Sequence, residues 1–501
     1  MRFFRRRRRK EGGMVFDRLR GLMTSEGLKA RCARGGAALA LGTIVERGAR
    51  LVRNMILARL LAPDQFGLMA IVLAASGLFE AITEIGIRQA VIQNPRGDRP
   101  EFLNVAWWIS AVRGALVCVV GCLAAPYVAR FYGDVSLTPL LQVVMLSMFI
   151  GGLTNPRLAV LEKQLRFGPC VWITQGSGLA ATVISLVAAV YVRSVWALVL
   201  GVVAEAFIRT VLSYVAFPFR PRLSIDRDSW RDLVAFARGM AGLSLLTCVV
   251  LQADVFVLGR VCSKEQLGMY SLALALANMP LMVFSRVVAP MVLPVLSDVQ
   301  GDRAKLCQTV LSITRMLFDL GAPLAAFLVV FGRSILSLAY GKSYGAVSDV
   351  FGVLCVYVLT YMAANVLVFT YLAIARPELQ RRFLFVWACL VAMAMYPAVK
   401  YLGPLGAALT LLVTLLAATA VQLARMARII GLAVVSYLAI VRRGVAVAAL
   451  AAIPAVGIRM LDMGAESTQL VLGGLVCALA WALCLLREAG KARAMEFRRL
   501  A

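Results

Sequence analysis

Apolar runs of about 20 residues recur from residue 38 almost to the C-terminus, each long enough to cross a hydrocarbon core of roughly 30 Å. Backbone in lipid must satisfy its own hydrogen bonds, so runs of this length are helices. Composition agrees, with 61% of the 501 residues hydrophobic and 16% charged. A large soluble helical protein would need polar faces that most of these runs lack. The pattern predicts an all-α polytopic membrane protein with about 14 transmembrane helices, centred near residues 47, 77, 115, 149, 181, 206, 243, 282, 324, 361, 390, 413, 447 and 477.

Net charge is +27, from 53 basic and 26 acidic residues. The bases cluster in short connectors, which fits anchoring to an anionic leaflet and argues against nucleic acid as a partner. Alternate connectors carry Arg88, Arg96 and Arg99, then Arg157, Lys163 and Arg166, then Arg220, Arg222, Arg227 and Arg231; later ones add Arg376, Arg381 and Arg382, then Arg425, Arg428, Arg442 and Arg443. Those between them, such as FYGDVS at 131–136 and GAES at 464–467, are poorer in bases. Both termini are therefore expected in the cytoplasm. The leader MRFFRRRRRK has no apolar stretch directly behind it, so a cleaved signal is not expected, and residues 15–35 read as an amphipathic surface helix or a tail. The 11 cysteines form no CxxC pattern and histidine is absent, so no metal site or cofactor is expected and any proton-linked step must use carboxylates.

One motif is written twice. Residues 56–75 and 257–276 share six identities in twenty positions at an offset of 201, among them Arg59 with Arg260, Gln65 with Gln266 and Gly67 with Gly268. Tyr132-Gly133 and Tyr340-Gly341 echo each other at an offset of 208. The repeat spans an even number of crossings, so both copies enter the membrane in the same sense. This predicts two six-helix lobes related by an axis along the membrane normal, residues 36–222 and 223–424, followed by two further helices within 425–501 and preceded by a basic extension at 1–35. Lobes that face each other across a cavity suit transport by rocking. The motif itself reads as a tight hairpin at the outer end of each first span, with Arg59 and Arg260 snorkelling and Gly67 and Gly268 easing the start of the next helix.

Charges inside spans are costly and mark function by default. Arg50, Arg53, Arg113, Arg209, Arg238, Arg286 and Arg315 are candidate substrate-binding residues, because guanidinium offers directed donors to phosphate and carboxylate oxygens. Glu46, Glu80, Glu84, Asp254 and Asp319 are the carboxylates available for ion coupling or gating, or for balancing neighbouring arginines. Arg53 and Asp254 are equivalent under the repeat, and either pair across the lobes or are satisfied within them.

At these residues the sequence resembles the Wzx-type polysaccharide flippases, particularly the colanic acid and exopolysaccharide exporters. These belong to the superfamily that also holds multidrug extruders and lipid II flippases. The resemblance rests on LARLLAPDQFGLMA at 57–70, FEAITEIGIRQAVIQ at 79–93, FYGDVS at 131–136 and NPRLAVLEKQLRFG at 155–168, and runs from about residue 36 to 424. It implies movement of an undecaprenyl-diphosphate-linked oligosaccharide from the cytoplasmic to the periplasmic leaflet of a bacterial inner membrane by alternating access. It further implies a cationic cavity, H+ or Na+ coupling, and polysaccharide polymerase or export machinery as partners. A lipid II flippase is the nearest alternative. A multidrug extruder should carry fewer arginines in its spans. A membrane-embedded glycan polymerase would need larger outer loops, and no GxxxxGK[ST] motif is present; the chain is read as a transporter and not an enzyme.

Overall fold

The computed structural model describes residues 26–164, 166–222, 226–240, 242–460, 470–475 and 477–478. The regular elements among these residues are all helical. The basic leader and the segment at 464–467 lie outside the described residues, as does most of the amphipathic stretch at 15–35.

The first lobe comprises α1 (Glu26–Leu60), α2 (Pro63–Thr83), α3 (Ile87–Gln93), α4 (Pro100–Tyr132), α5 (Leu137–Gly152), α6 (Arg157–Lys163), α7 (Phe167–Val192) and α8 (Trp196–Ala216). A connecting helix α9 (Arg227–Met240) leads to α10 (Leu243–Val261), α11 (Lys264–Ala277), α12 (Met279–Val283), a π-turn at Phe284–Val288 and α13 (Ala289–Asp298). Then follow α14 (Arg303–Val330), α15 (Gly332–Tyr340), α16 (Ser348–Ala373), α17 (Pro377–Ile430) and α18 (Val434–Met460). Among the described residues, nine helices are long and apolar enough to cross a membrane, or eleven if two bent pairs each count as one span. α17 holds two of the expected spans, near 390 and 413, because its 54 residues break at Gly403, whose φ of 58° suits glycine. α1 falls outside that set because Glu46, Arg47, Arg50 and Arg53 interrupt its apolar character.

One expectation needs correction. The seventh span is not centred near 243: Gly242, at φ 84°, separates α9 from α10, which spans Leu243–Val261. α9 is strongly amphipathic, alternating Trp230, Leu233, Val234 and Phe236 with charged residues, so it has one face for protein and one for a polar surface. It also packs against α4 and α3 of the first lobe, although the repeat assigns it to the second. Asp232 fixes it there, accepting from Asn94 Nδ2 and Arg96 Nη2 at 2.7 Å each. Those donors hold the Asp232 carboxyl below the ordinary aspartate value.

The break after α5 is where the sequence places it. Asn155 is buried, and its Nδ2 donates to the carbonyls of Ser213 at 3.1 Å and Phe217 at 2.6 Å, while its Oδ1 accepts from the Arg157 amide. The side chain thus ties the α5–α6 corner to the end of α8. Asn155→Ala takes the side-chain donor from the Phe217 carbonyl and is expected to lower stability by about 1–3 kcal/mol, read as a reduced unfolding temperature in detergent; an unchanged temperature would deny Asn155 this role.

The two copies of the motif meet each other. α2 packs along α11 and α10, which joins the lobes. A Cβ on Gly67 would lie 2.0 Å from the Lys264 carbonyl oxygen, and one on Gly268 would lie 1.8 Å from that of Pro63. Pro63 and Lys264 are themselves equivalent under the repeat, so each glycine receives the first residue of the other copy's helix. This is the self-complementary contact a two-fold axis produces. The arginines follow suit: Arg59 Nη2 donates to the Leu338 carbonyl of α15 at 2.6 Å, and Arg260 lies 5.7 Å from the ring centroid of Phe131 on α4, each crossing to the opposite lobe. The hairpin reading of the motif is therefore incomplete, because its glycines and arginines serve the approach of one lobe to the other.

The duplicated glutamines diverge. Gln266 completes a capping box with Ser263, whereas Gln65 Oε1 accepts from the Val195 amide at 2.9 Å. Lys264 and Asp134 add an ion pair across the same end. Burial pushes the Asp134 carboxyl up, but the Lys264 ammonium and the Ser136 donors outweigh it and hold the group below the ordinary aspartate value. The pair is thus intact at neutral pH and is lost only as pH falls through that depressed value.

Candidate functional site

Several charged side chains of the first lobe neutralise one another. Glu46 is 3% exposed and pairs with Arg50, while Arg50 Nη2 reaches Glu205 Oε1 at 2.8 Å and Arg47 Nε lies 3.3 Å from Glu46. Glu46 and Arg50 are one turn apart on α1, so the helix aligns them before packing brings Glu205 from α8. Arg113 meets Glu84 at 3.0 Å and Glu80 at 3.9 Å. Arg113, Glu80, Glu205 and Arg209 line a polar cavity of about 420 Å³, together with Gly114, Gly151 and Gly152. Arg50 and Arg113 thus sit in compensated networks within one lobe.

Arg53 donates to Asn54 at 3.1 Å, whereas Asp254 accepts from Tyr270 Oη at 2.8 Å and from the Val255 amide at 2.8 Å. The two equivalent residues are not paired in this structure. Arg315 lies 3.8 Å from Asp319, which also meets Arg443 at 3.3 Å. That cluster sits where α14 packs on α18. Arg238 belongs to α9, and its side chain falls outside the described residues.

Arg286 differs from the paired Arg50, Arg113 and Arg315. It lies on the π-turn midway through the eighth span, where α11 and the α12 segment bend by 42°. Pro280 accounts for the bend, since it has no N–H to donate and its ring crowds the preceding turn. Such mid-helix irregularities recur at functional sites. Among the described residues Arg286 makes no hydrogen bond or ion pair.

Arg286 also forms part of a shared wall between two cavities. An apolar groove of about 640 Å³ runs between α1, the broken eighth span, α14 and α16, lined by Ile44, Leu51, Met279, Leu320, Leu324 and Leu359. A more polar cavity of about 370 Å³ adjoins it, where Asp254, Asn278, Ser285, Tyr357 and Tyr361 stand among leucines and Val250. Thr43, Arg47, Met282 and Arg286 face both. Two guanidiniums, one from each lobe, therefore stand at the junction of an apolar space and a polar one. Arg47 escapes notice among the four charges of the first span, although its spacing of four from Thr43 and Leu51 places these three on one face. Tyr270 likewise carries no signal in sequence.

Two lobes, broken spans and an arginine-bearing cavity between them define a polytopic membrane transporter. The architecture matches that of the solved lipid II flippase MurJ in an inward closed conformation, with a TM-score of 0.71 at 11% identity, over 89% of this chain and 97% of that one. An inward-facing multidrug resistance MATE transporter matches with a TM-score of 0.57 at 15% identity, over 81% of this chain and 98% of that one. The chain belongs to the polysaccharide biosynthesis protein family, which it matches over residues 56–349. It is 23% identical to the lipopolysaccharide biosynthesis protein WzxC of Escherichia coli over 71% of this chain and 73% of that one. It is 24% identical to the succinoglycan biosynthesis transport protein ExoT of Rhizobium meliloti over 71% of each.

Proposed function

We propose that the protein moves an undecaprenyl-diphosphate-linked oligosaccharide from the cytoplasmic to the periplasmic leaflet of the bacterial inner membrane, for exopolysaccharide, capsule or O-antigen assembly. One observation carries this reading: the apolar groove, the Arg47–Arg286 wall and the polar cavity follow the order of polyprenyl tail, diphosphate and sugar along such a lipid. The tail stays in hydrocarbon, the guanidiniums take the phosphates, and hydroxyl and amide groups of Asn278, Ser285, Tyr357 and Tyr361 meet the glycan. Family membership and the similarity to WzxC and ExoT support the same reading.

With the basic connectors in the cytoplasm, the motif end faces the periplasm, and its closure makes this an inward-directed state. Both termini then lie in the cytoplasm. A lipid II flippase would share the chemistry. Binding separates these readings from other transport: undecaprenyl diphosphate should bind the purified protein about tenfold or more tightly than undecaprenol, because charge-assisted hydrogen bonds contribute about 1.5–3 kcal/mol each. Equal affinity for the two would remove the diphosphate from recognition.

Asp254 is the carboxylate best placed for coupling, being buried beside the polar cavity and bonded to Tyr270 on the helix that carries Gly268. Glu46, Glu80, Glu84 and Asp319 balance arginines instead. If protons or Na+ drive the cycle through this group, Asp254→Asn should abolish the acceleration of flipping by an ion gradient while gradient-independent movement persists. An unaltered response to the gradient would remove Asp254 from that role.

A further inference from the structure

The lobe interface has two sides. One holds the apolar groove beside α1 and the eighth span. The other, between α2 and α4 of the first lobe and α10 and α17 of the second, holds a cavity of about 940 Å³ at the motif end. The internal repeat relates the two: Ala75, Leu78 and Phe79 of this second cavity correspond, at the 201-residue offset, to Leu276, Met279 and Pro280 of the groove. Their chemistry differs. Where the groove is aliphatic, the second cavity is walled by Phe79, Tyr127, Phe131, Tyr132, Phe256 and Tyr396, with Arg260 and Lys400 among them.

The rings mark the level of this cavity in the membrane. Tyr127 is 69% exposed, Phe131 57% and Tyr396 55%, and all three lie in the final turns of their spans. Amphipathic and aromatic rings at span ends form the belt that sits among lipid headgroups. Both cations are exposed. Among the described residues neither Lys400 nor Arg260 makes a hydrogen bond or ion pair, and Arg260 lies over the Phe131 face.

We propose that this second cavity binds the headgroup of an anionic phospholipid from the surrounding bilayer, with the phosphate between Arg260 and Lys400 and the acyl chains along the exposed rings. Bilayer lipid is the occupant because exposed rings at span ends belong at the headgroup level and the two cations lining the cavity match a headgroup phosphate. The site exists only while α4 lies against α10, as it does where Tyr132 Oη donates to the Phe256 carbonyl at 3.5 Å. A bound lipid therefore bridges the lobes and favours the state in which the motif end is closed.

The test is native mass spectrometry of the purified full chain with phosphatidylglycerol, phosphatidylcholine or undecaprenyl diphosphate added singly and in competition. Removing two cations near a membrane surface should weaken phosphatidylglycerol binding about tenfold or more in Arg260→Ala/Lys400→Ala. Lys342→Ala, an exposed cation outside the cavity, should leave it unchanged. Tyr127→Leu/Phe131→Leu, which alters the opposite wall, should shorten lipid retention without removing the charge. Equal phosphatidylglycerol binding in the wild type and the double cation variant would overturn the proposal. So would preferential occupation of these residues by undecaprenyl diphosphate, which would make this a second substrate site. Because the groove and Arg286 are untouched, failure here leaves diphosphate binding at the first site intact.

Discussion

Leucine at position 67 or 268 is expected to slow flipping roughly 10- to 100-fold while leaving a folded, monodisperse protein. The obstacle at each position is backbone, at 2.0 Å for Gly67 and 1.8 Å for Gly268, and backbone cannot rotate away as a side chain would. Overpacking of this kind costs about 1–3 kcal/mol, and here that cost falls only on the state with the motif end closed. The cavity would then remain open at that end and reload poorly. Because the contact is reciprocal, the two single variants should behave alike, and the double variant should fall well short of the product of their effects. Cysteines at 134 and 264, with the native cysteines replaced, report closure directly: they should cross-link in the wild-type background and much less in Gly67→Leu. Full cross-linking with unimpaired flipping would show that the glycine contact does not govern closure.

Arg286→Ala should weaken undecaprenyl diphosphate binding roughly 10- to 100-fold, since it removes charge-assisted hydrogen bonds worth about 1.5–3 kcal/mol each. Arg47→Ala should have a smaller effect, because Glu46 already engages that guanidinium at 3.3 Å. Arg286→Lys should recover only part of the loss, as an ammonium keeps the charge without the planar fork. Arg315→Ala should leave diphosphate affinity unaltered, its side chain being occupied at the α14–α18 contact. Titration of the lipid against the four variants checks the order. If Arg315→Ala matches Arg286→Ala, the cavity junction is not where the phosphates sit.

The series of apolar spans and the corner at Asn155 were legible in sequence because they rest on local signals: apolar length, proline, and an asparagine at a helix end. The repeat was legible too, but not its consequence. Nothing in residues 56–75 says that Gly67 will meet Lys264, because the partner of a small residue is decided by packing between lobes. The same limit applies to charge. Arg50, Arg113 and Arg286 look alike in sequence, and the approach of Glu205 from α8 and Glu84 from α2 separates the two compensated arginines from the one without an ion pair. Arg47 was hidden because a span that is apolar nearly all round has little periodicity to reveal which face is inward. The seventh span was misplaced for a related reason: the apolar residues on one face of α9 run into those of α10, and Gly242 alone divides them.

The central claim is that this chain carries a diphosphate-linked glycan between leaflets past Arg47 and Arg286. It is tested most directly by reconstituting the protein in liposomes with a labelled polyprenyl-diphosphate oligosaccharide on one leaflet and an enzyme that reads its arrival on the other. Protein-dependent transfer that falls at least tenfold in Arg286→Ala is the expected result. Transfer that is absent across a panel of such lipids under H+ and Na+ gradients, while another lipid or a soluble anion is moved, would contradict it.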